Sequence, residues 1–487
     1  MASTFGGIEL AKRTLQTQQK SLTVTGHNIA NANTEGYSRQ RAVQSATTPH
    51  AKPSLYNSTG AGQIGTGVHV KKVERARDQF IDSRIRAENH ALGEWDMKHT
   101  NLKEIEAIFN DLDEAGMVNN LNQFWDSFQE LNNNPESMAV RETVVQQTIT
   151  LTTQMNHFDN SLMELHDNLS FEIEGRINEF NSLTSRIASL NDQIKAVESD
   201  SNKNANDLMD ERDLLLDRLS ELADVDIRID DTNQANISLN GINVVQGKFA
   251  QELEVNNTSS KQEVEYGVDS EGNDIDFNHS YDIETSSFSI GGNNVQINSG
   301  EIKGLMDVQD STIDYKQDLD MMAVHLAHEV NKAHESGFDL NGDEGVEFFV
   351  FEDDVHTAGQ ISINQDIIDD PALIAAASTA DAGQGDGSNA LKIANLKDKG
   401  DTIGGTTFND FWQRQSSNLG IEIERADRME GNQKVLVNDL KSKREEVSGV
   451  SLDEEMTEMV KFQHAYNAAG RVISRLDEMF NTLVNSI

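Results

Sequence analysis

The chain has 487 residues, with 82 Asp and Glu against 40 Lys and Arg and a net charge of −42. That charge argues against a nucleic-acid binder, whose footprint is a basic face, and against a protein held on anionic lipid. Zero cysteines exclude disulfides, thiol nucleophiles and thiolate metal sites.

Hydrophobic residues make up 36% of the chain, enough for globular cores, and at about 150 residues per domain the length suggests roughly three domains. No apolar run approaches the ~18 residues of a membrane span, so no membrane insertion is expected. Met1-Ala2-Ser3-Thr4-Phe5-Gly6-Gly7 lacks the basic and apolar regions of a cleaved secretory signal. Four prolines fit long uninterrupted helices. Residues 1–90 carry twelve Lys/Arg and six Asp/Glu, a net of +6, so the remaining 397 residues hold −48. A mildly basic front end on an acidic body implies surfaces with different exposures.

In chain order, Ile8, Leu15, Leu22 and Ile29 recur every seven residues, a narrow seam along one side of a helix. The polar, small stretch from Asn28 to Gly36 then reads as a helix stop and loop. Gly60-Ala61-Gly62-Gln63-Ile64-Gly65 has the spacing of a phosphate-binding turn, but strand-like alternation follows it where a helix is required, so it reads as a loop. Residues 68–130 mix a short alternation (Val68, Val70, Val73) with helical periodicity. Ile173, Phe180, Ile187 and Ile194 make 160–197 the most regular helix, and Leu208, Leu215, Leu219 and Leu222 mark a second amphipathic helix. The charged run Asp207, Asp210, Glu211, Arg212, Asp213 reads as a solvated helix face with local ion pairs.

From about 226 to 300 the period changes to two. Residues 237–245 read as a hairpin with an Asn240-Gly241 turn, followed by a polar, strand-like stretch over 256–298. Helical periodicity returns at 301–335 and again at 408–447, with mixed material at 346–400. At the far end Leu452, Met459, Tyr466, Ile473, Phe480 and Ile487 fall at spacing seven, with Phe462, Ala469, Leu476 and Leu483 three residues later. Ser451 and Glu454 give a capping box at the start of this helix, which would be roughly 54 Å long. Gly470 interrupts it, at a cost of ~1 kcal/mol. Seams like these need a partner. The two ends either pack into one ordinary domain or pair with each other and leave an apolar edge for other subunits.

Candidate chemistry is sparse. His325, His328, Glu329, His334 and Glu335 cluster, but a zinc-protease helix needs H-E-x-x-H, and His328 to His334 is a spacing of six. His325 and His328 share a face that offers at most a weak surface metal site. Asp339, Asn341 and Asp343 resemble the start of a calcium loop, but Glu344 stands where Gly is wanted and Val350 where a bidentate Glu belongs, so a turn is expected. Nothing resembles an activated nucleophile. The reading is a non-enzyme without catalytic residues, metal or cofactor.

Gly26-His27-Asn28-Ile29-Ala30-Asn31-Ala32-Asn33-Thr34-Glu35-Gly36-Tyr37-Ser38-Arg39-Gln40 resembles the signature shared by bacterial flagellar rod, hook and hook-associated proteins. Its Gly-Tyr-Ser-Arg-Gln ending is most similar to the hook-associated protein 1 family of hook–filament junction proteins. Stretches within 450–455, 462–466 and 477–480 are similar to that family's closing helix, and Phe124-Trp125 to Pro135, 206–213 and 334–349 agree with it. The expected fold is mainly α with inserted β: terminal coiled-coil helices and a helical bundle shaft carrying an inserted β domain.

The expected divisions are 1–45, the N-terminal helix of an inner-tube domain; 46–225, the first part of the shaft; 226–300, the β insert; 301–345, the shaft's return; 346–407, a small mixed insert; 408–447, the last of the shaft; and 448–487, the C-terminal helix pairing with the N-terminal one. The resemblance implies a structural adaptor of the flagellum; on physical grounds its seams are expected to be disordered in the monomer and to order as a subunit joins, with head-to-tail contacts building an open tube. Its subunit interface would comprise Ile8, Leu15, Leu22, Ile29, Leu452, Met459, Phe462, Tyr466, Ile473, Leu476, Phe480 and Leu483, and its family-motif loop Asn28, Asn31, Asn33, Gly36 and Tyr37. Implied partners are copies of itself, hook protein, the next hook-associated junction protein and a cytoplasmic export chaperone. The implied location is the extracellular flagellum, reached by type III export. The alternatives are another hook-associated or hook axial protein, a flagellar surface adhesin acting through the β insert, and a flagellar protein with a metalloprotease insert.

Overall fold

A computed structural model of the chain describes residues 6–48, 65–110, 116–199, 203–264, 279–352 and 356–485. Helix α1 (Gly6–Ala30) leads through a loop to the antiparallel pair β1 (Gln40–Ala46) and β2 (Val68–Arg75). The helices α2 (Gln79–Asn110), α3 (Met117–Asn133), α4 (Met138–Glu198) and α5 (Asn206–Leu222) follow. The glycine-rich stretch from Gly60 to Ile64 lies outside the described residues.

At 61 residues, α4 is about 90 Å long and forms the spine. Periodicity revealed only its second part, because 138–159 is rich in threonine and glutamine. The hydroxyls of Thr143, Thr148, Thr150 and Thr152 each donate to the carbonyl four residues back, which satisfies polar β-branched side chains inside a helix.

The strands β3 (Val225–Ile229), β4 (Ala235–Leu239), β5 (Ile242–Gln246) and β6 (Phe249–Ala250) form one antiparallel sheet in that order. Asn240 and Gly241 take φ of 47° and 81°, the two positive values that a tight hairpin turn demands. A second sheet joins β7 (Leu253–Val264), β8 (His279–Ile290) and β9 (Asn293–Val295). Helix α6 (Glu301–Glu335) then returns along α4. The pair β10 (Phe349–Phe351) and β11 (Ile361–Ile363), the short helices α7 (Gln365–Asp369) and α8 (Ser388–Ala394), and the long α9 (Phe408–Ser448) and α10 (Leu452–Asn485) follow, with three 3-10 turns between α7 and α9.

Among the described residues, the buried apolar side chains of the two larger sheets join the core of the helices. Ile237, Leu239, Val245, Phe288 and Ile290 belong to the same buried cluster as Phe180 and Ile187 of α4 and Leu305 and Val308 of α6. Phe348, Phe349, Ile361 and Ile374 join that cluster as well. An aromatic hub fixes the meeting of α2, α4, α6 and α9: Phe158 stacks on Trp412 with centroids 5.8 Å apart, and Phe109 touches both of them and Tyr315. Such pairs stabilise by about 0.5–1.5 kcal/mol beyond their burial. Among the described residues, no helix is long and apolar enough to cross a membrane.

Of the histidine cluster of α6, His325, Glu329 and His334 are buried in this core, whereas His328 is half-buried and Glu335 exposed. A ring nitrogen of His325 (Nδ1) lies 2.8 Å from the Thr402 carbonyl. His334 is fully buried; its Nε2 accepts from the Ala375 N–H at 2.8 Å, so the proton sits on Nδ1, 2.6 Å from the Val346 carbonyl. Asp339 Oδ1 accepts from the N–H groups of Asn341 and Asp343, which closes the turn expected there. Burial pushes His334 down to about 4. The unfolded imidazole gains its proton near pH 6.5 while the folded one resists, so this contribution is intact above that pH and is lost as the pH falls toward 4. Between neutrality and pH 5 the loss is about 2 kcal/mol. Urea unfolding across this range is expected to show it, and His334→Asn to flatten the dependence.

Candidate functional site

Helices α1 and α10 pair antiparallel. A Cβ on Gly7 would lie 3.1 Å from the Leu476 side chain, and at the other end Asn28 bonds Glu455. Of the seam residues, Ile8, Leu15, Leu22, Ile29, Met459, Phe462, Ile473, Leu476 and Phe480 are half-buried, whereas Leu452 is 47% and Tyr466 38% exposed. The side chain of Leu483 and all of Ile487 lie outside the described residues.

Apart from Val24, the buried positions described on the pair are small or polar: Ala11, Thr17, Ser21, Thr25 and Asn28 on α1, and Glu455 and Ala469 on α10. A search for large apolar side chains passes over them. They are buried because α1 is covered twice, by α10 and by the β1–β2 hairpin, where Thr17 donates to the Val68 carbonyl and Gln44 to Ser21. Further apolar side chains of α10 face outward, among them Met456 (60% exposed) and Met479 (67%). Gly470 meets open space where its Cβ would be, so close packing does not require it.

The pair is fastened at its inner end by Asn28, whose amide is fully used. Its Nδ2 donates to the Gln40 carbonyl and to Glu455 Oε2, both at 2.9 Å. Its Oδ1 accepts from the Gln40 N–H at 2.9 Å and the Tyr37 hydroxyl at 2.8 Å. Glu455, itself buried, also accepts from Arg39 Nε at 2.7 Å. Glu454, read as the close of a capping box, reaches Arg39 at 2.9 Å. The Arg39 N–H donates to the Ser448 carbonyl, which ties the loop to the corner between α9 and α10.

The remaining loop residues explain the motif. Asn31 Nδ2 donates to the His27 carbonyl at the end of α1. Asn33 is exposed. Gly36 takes φ of 75°, and a Cβ there would press within 3.3 Å of Leu214 on α5. Tyr37 also meets the His27 ring at 3.0 Å. Desolvation, then the nearby Asp207, Asp210 and Glu455, raise the Tyr37 phenol well above its ordinary range, so it remains a donor.

Below the loop lies a lattice of arginines and aspartates. Arg75 contacts Asp210 at 2.8 Å and Asp213 at 2.7 Å; Arg77 contacts Asp82 at 2.7 Å and Asp213 at 3.4 Å. Arg86 bridges Asp213 and Asp217, and Arg444 joins Asp217 at 2.5 Å. The Ser38 N–H donates to Asp210. Four cations thus balance four anions across β2, α2, α5 and α9. The charged run of α5 is therefore not a solvated face: Asp210, Arg212 and Asp213 are all buried. Burial alone raises Asp213, but Arg77, Arg75, Arg86 and Arg212 outweigh it and hold the carboxyl down at about 2. Arg212 turns the other way, to Asn191 and the Asn233 carbonyl, and burial lowers it.

Comparisons with known proteins match the two ends of the chain and its helical middle to flagellar families. The family model for flagella basal body rod proteins matches residues 8–37, and that for the C-terminal region of flagellar basal body rod FlgEFG proteins matches 441–486. These matches put the chain in the class of flagellar rod- and hook-type proteins. The model for the helical domain of flagellar hook-associated protein FlgK matches 102–349. Flagellar hook-associated protein 1 of Bacillus subtilis (strain 168) is 36% identical, over 100% of this chain and 99% of its own. That of Escherichia coli (strain K12) is 24% identical over 97% and 98%. The chain belongs to the flagellar hook-associated protein 1 (FlgK) family. The solved flagellar hook junction protein FlgK from Burkholderia pseudomallei shares the fold, with a TM-score of 0.60 at 15% identity, over 74% of this chain and 100% of that one.

Replacing Asn28 by Ala strands both polar groups of Gln40 and half of the Glu455 partnership. The expected cost is about 2–4 kcal/mol, confined to the terminal pair. Limited proteolysis is expected to cut within α1 and α10 of Asn28→Ala. Fluorescence of Trp95, Trp125 and Trp412, all in the shaft, should stay native; a simultaneous loss of both signals would refute a separable joint.

Proposed function

We propose that the protein joins hook to filament in the bacterial flagellum and assembles head to tail through α1 and α10. The observation that supports this reading is the half-covered pair: small and polar positions are buried within it, while Leu452, Met456, Tyr466 and Met479 are exposed. Each apolar Å² covered by a neighbour contributes about 25 cal/mol, and only heterologous contacts build an open tube. The interface comprises the half-buried seam residues together with Leu452 and Tyr466, on surfaces offered to copies of the same chain, to hook protein and to the next hook-associated junction protein. Before export, a cytoplasmic chaperone shields the exposed apolar positions of α10. The chain leaves the cell by type III export. In this arrangement the terminal pair belongs to the inner tube, and the hairpin of β7 and β8 faces outward.

The pair orders fully only when a subunit joins, since ordering each residue costs on the order of 1–2 kcal/mol of backbone entropy and much apolar surface of α10 stays exposed in the single chain. Hydrogen exchange on the monomer is expected to show weak protection over 6–30 and 452–485 beside strong protection of α4; equal protection would remove the ordering step. Tyr466→Asp changes an exposed position and is expected to leave the shaft folded while cells bear bare hooks and lose filament protein to the medium. Normal filaments on that variant would overturn the assembly role of α10.

A further inference from the structure

The shaft holds a second convergence of ionisable groups, away from the joint. Helices α2 and α9 run antiparallel, with Asp82 near Arg444 at one end and His99 against Glu430 farther along. Each helix presents two donors three residues apart: Asp96 and His99 on α2, Asp427 and Glu430 on α9. That spacing puts both on one helix face, and acid-x-x-donor pairs on facing helices are how helical bundles gather metal ligands.

The candidate ligand atoms of His99, Asp427 and Glu430 lie within 4.8 Å of one another. Glu430 Oε2 is 2.6 Å from Nδ1 of His99, and Asp427 Oδ1 is 3.6 Å from Nε2. A carboxylate on Nδ1 fixes the proton there and turns the Nε2 lone pair outward, the role such carboxylates play behind metal-binding imidazoles. The separation of Nε2 from Asp427 is close to that between two ligands of one ion with bonds of about 2.0–2.2 Å. His99 and Glu430 are largely covered, whereas the Asp427 carboxylate is 66% exposed and leaves a path for entry. Asp96 adds negative charge: desolvation and then Glu430 hold its carboxyl above the usual range. The nearby Lys434 reaches Glu430 only at 3.8 Å and is mostly in solvent.

We propose that His99 and Asp427 bind a first-row divalent cation that staples α2 to α9, with Glu430 as the positioning residue for the imidazole and water completing the coordination. Nitrogen and carboxylate donors together suit Zn²⁺ or Mn²⁺ rather than Ca²⁺ or Mg²⁺, which favour oxygen throughout. The site is independent of the assembly reading.

The test is calorimetric titration of the full chain with ZnCl2 in excess Mg²⁺, which occupies scattered surface carboxylates. One equivalent of Zn²⁺ per chain is expected, with a raised melting midpoint. His99→Ala and Asp427→Asn should each weaken binding at least tenfold. Glu430→Gln should weaken it about tenfold without abolishing it, and His464→Ala, on exposed surface of α10, should leave it unchanged. Absence of saturable binding, or equal affinity in His99→Ala, would overturn the proposal.

Discussion

The arrangement of the molecule rests on buried charge held in balance. Asp82, Asp210, Asp213 and Asp217 would each be costly to bury alone, and so would Arg75, Arg77, Arg86 and Arg444. Together they form a lattice in which every ion has an opposite neighbour. Removing one partner from such a set typically costs 3–5 kcal/mol, although the set as a whole contributes little net stability compared with apolar packing. Its value lies in specificity of placement. The four arginines come from three separate elements and the loop beside β2, so the lattice is complete only when β2, α2, α5 and α9 meet in one arrangement.

The terminal pair hangs from this lattice through a few side chains. Asn28 treats Gln40 as a strand would, exchanging hydrogen bonds with both its N–H and its carbonyl, and shares Glu455 with Arg39. Ser38 carries the connection down to Asp210. Apolar packing dominates within the shaft, where α4 runs its full length against α6 and the sheets. At the joint, polar contacts dominate. A polar joint fixes direction without demanding a wide buried surface, which leaves the apolar sides of α1 and α10 available elsewhere.

What could be read in the sequence followed the physics of each signal. The Asn240-Gly241 turn was legible because positive φ at two successive positions admits few residue types. The heptad seams of the termini were legible as helices, but the buried face of α1 was not: it is made of Ala11, Thr17, Ser21 and Thr25, whose burial depends on a hairpin folded over them. The charged run of α5 misled, since periodicity reveals that a face exists and not what covers it. Its neutralising arginines lie at 75, 77 and 86, and only the fold brings them together. The first third of α4 was hidden by threonines whose hydroxyls are satisfied by their own helix. The β insert read as separate because its period differs, yet its apolar residues complete the core of the helices.

The bond between Asn28 and Glu455 spans 427 positions, nearly the whole chain. In chain order α1 comes before the shaft and α10 after it, so Asn28 and Arg39 wait for Glu455 until the whole shaft has been made. A chain that stops between α9 and α10 keeps the helices α2 to α9, but its first helix has only the β1–β2 hairpin to pack against. The meeting of α1 and α10 therefore depends on a chain that extends past Glu455, because the contact that fastens the pair lies on either side of the whole shaft.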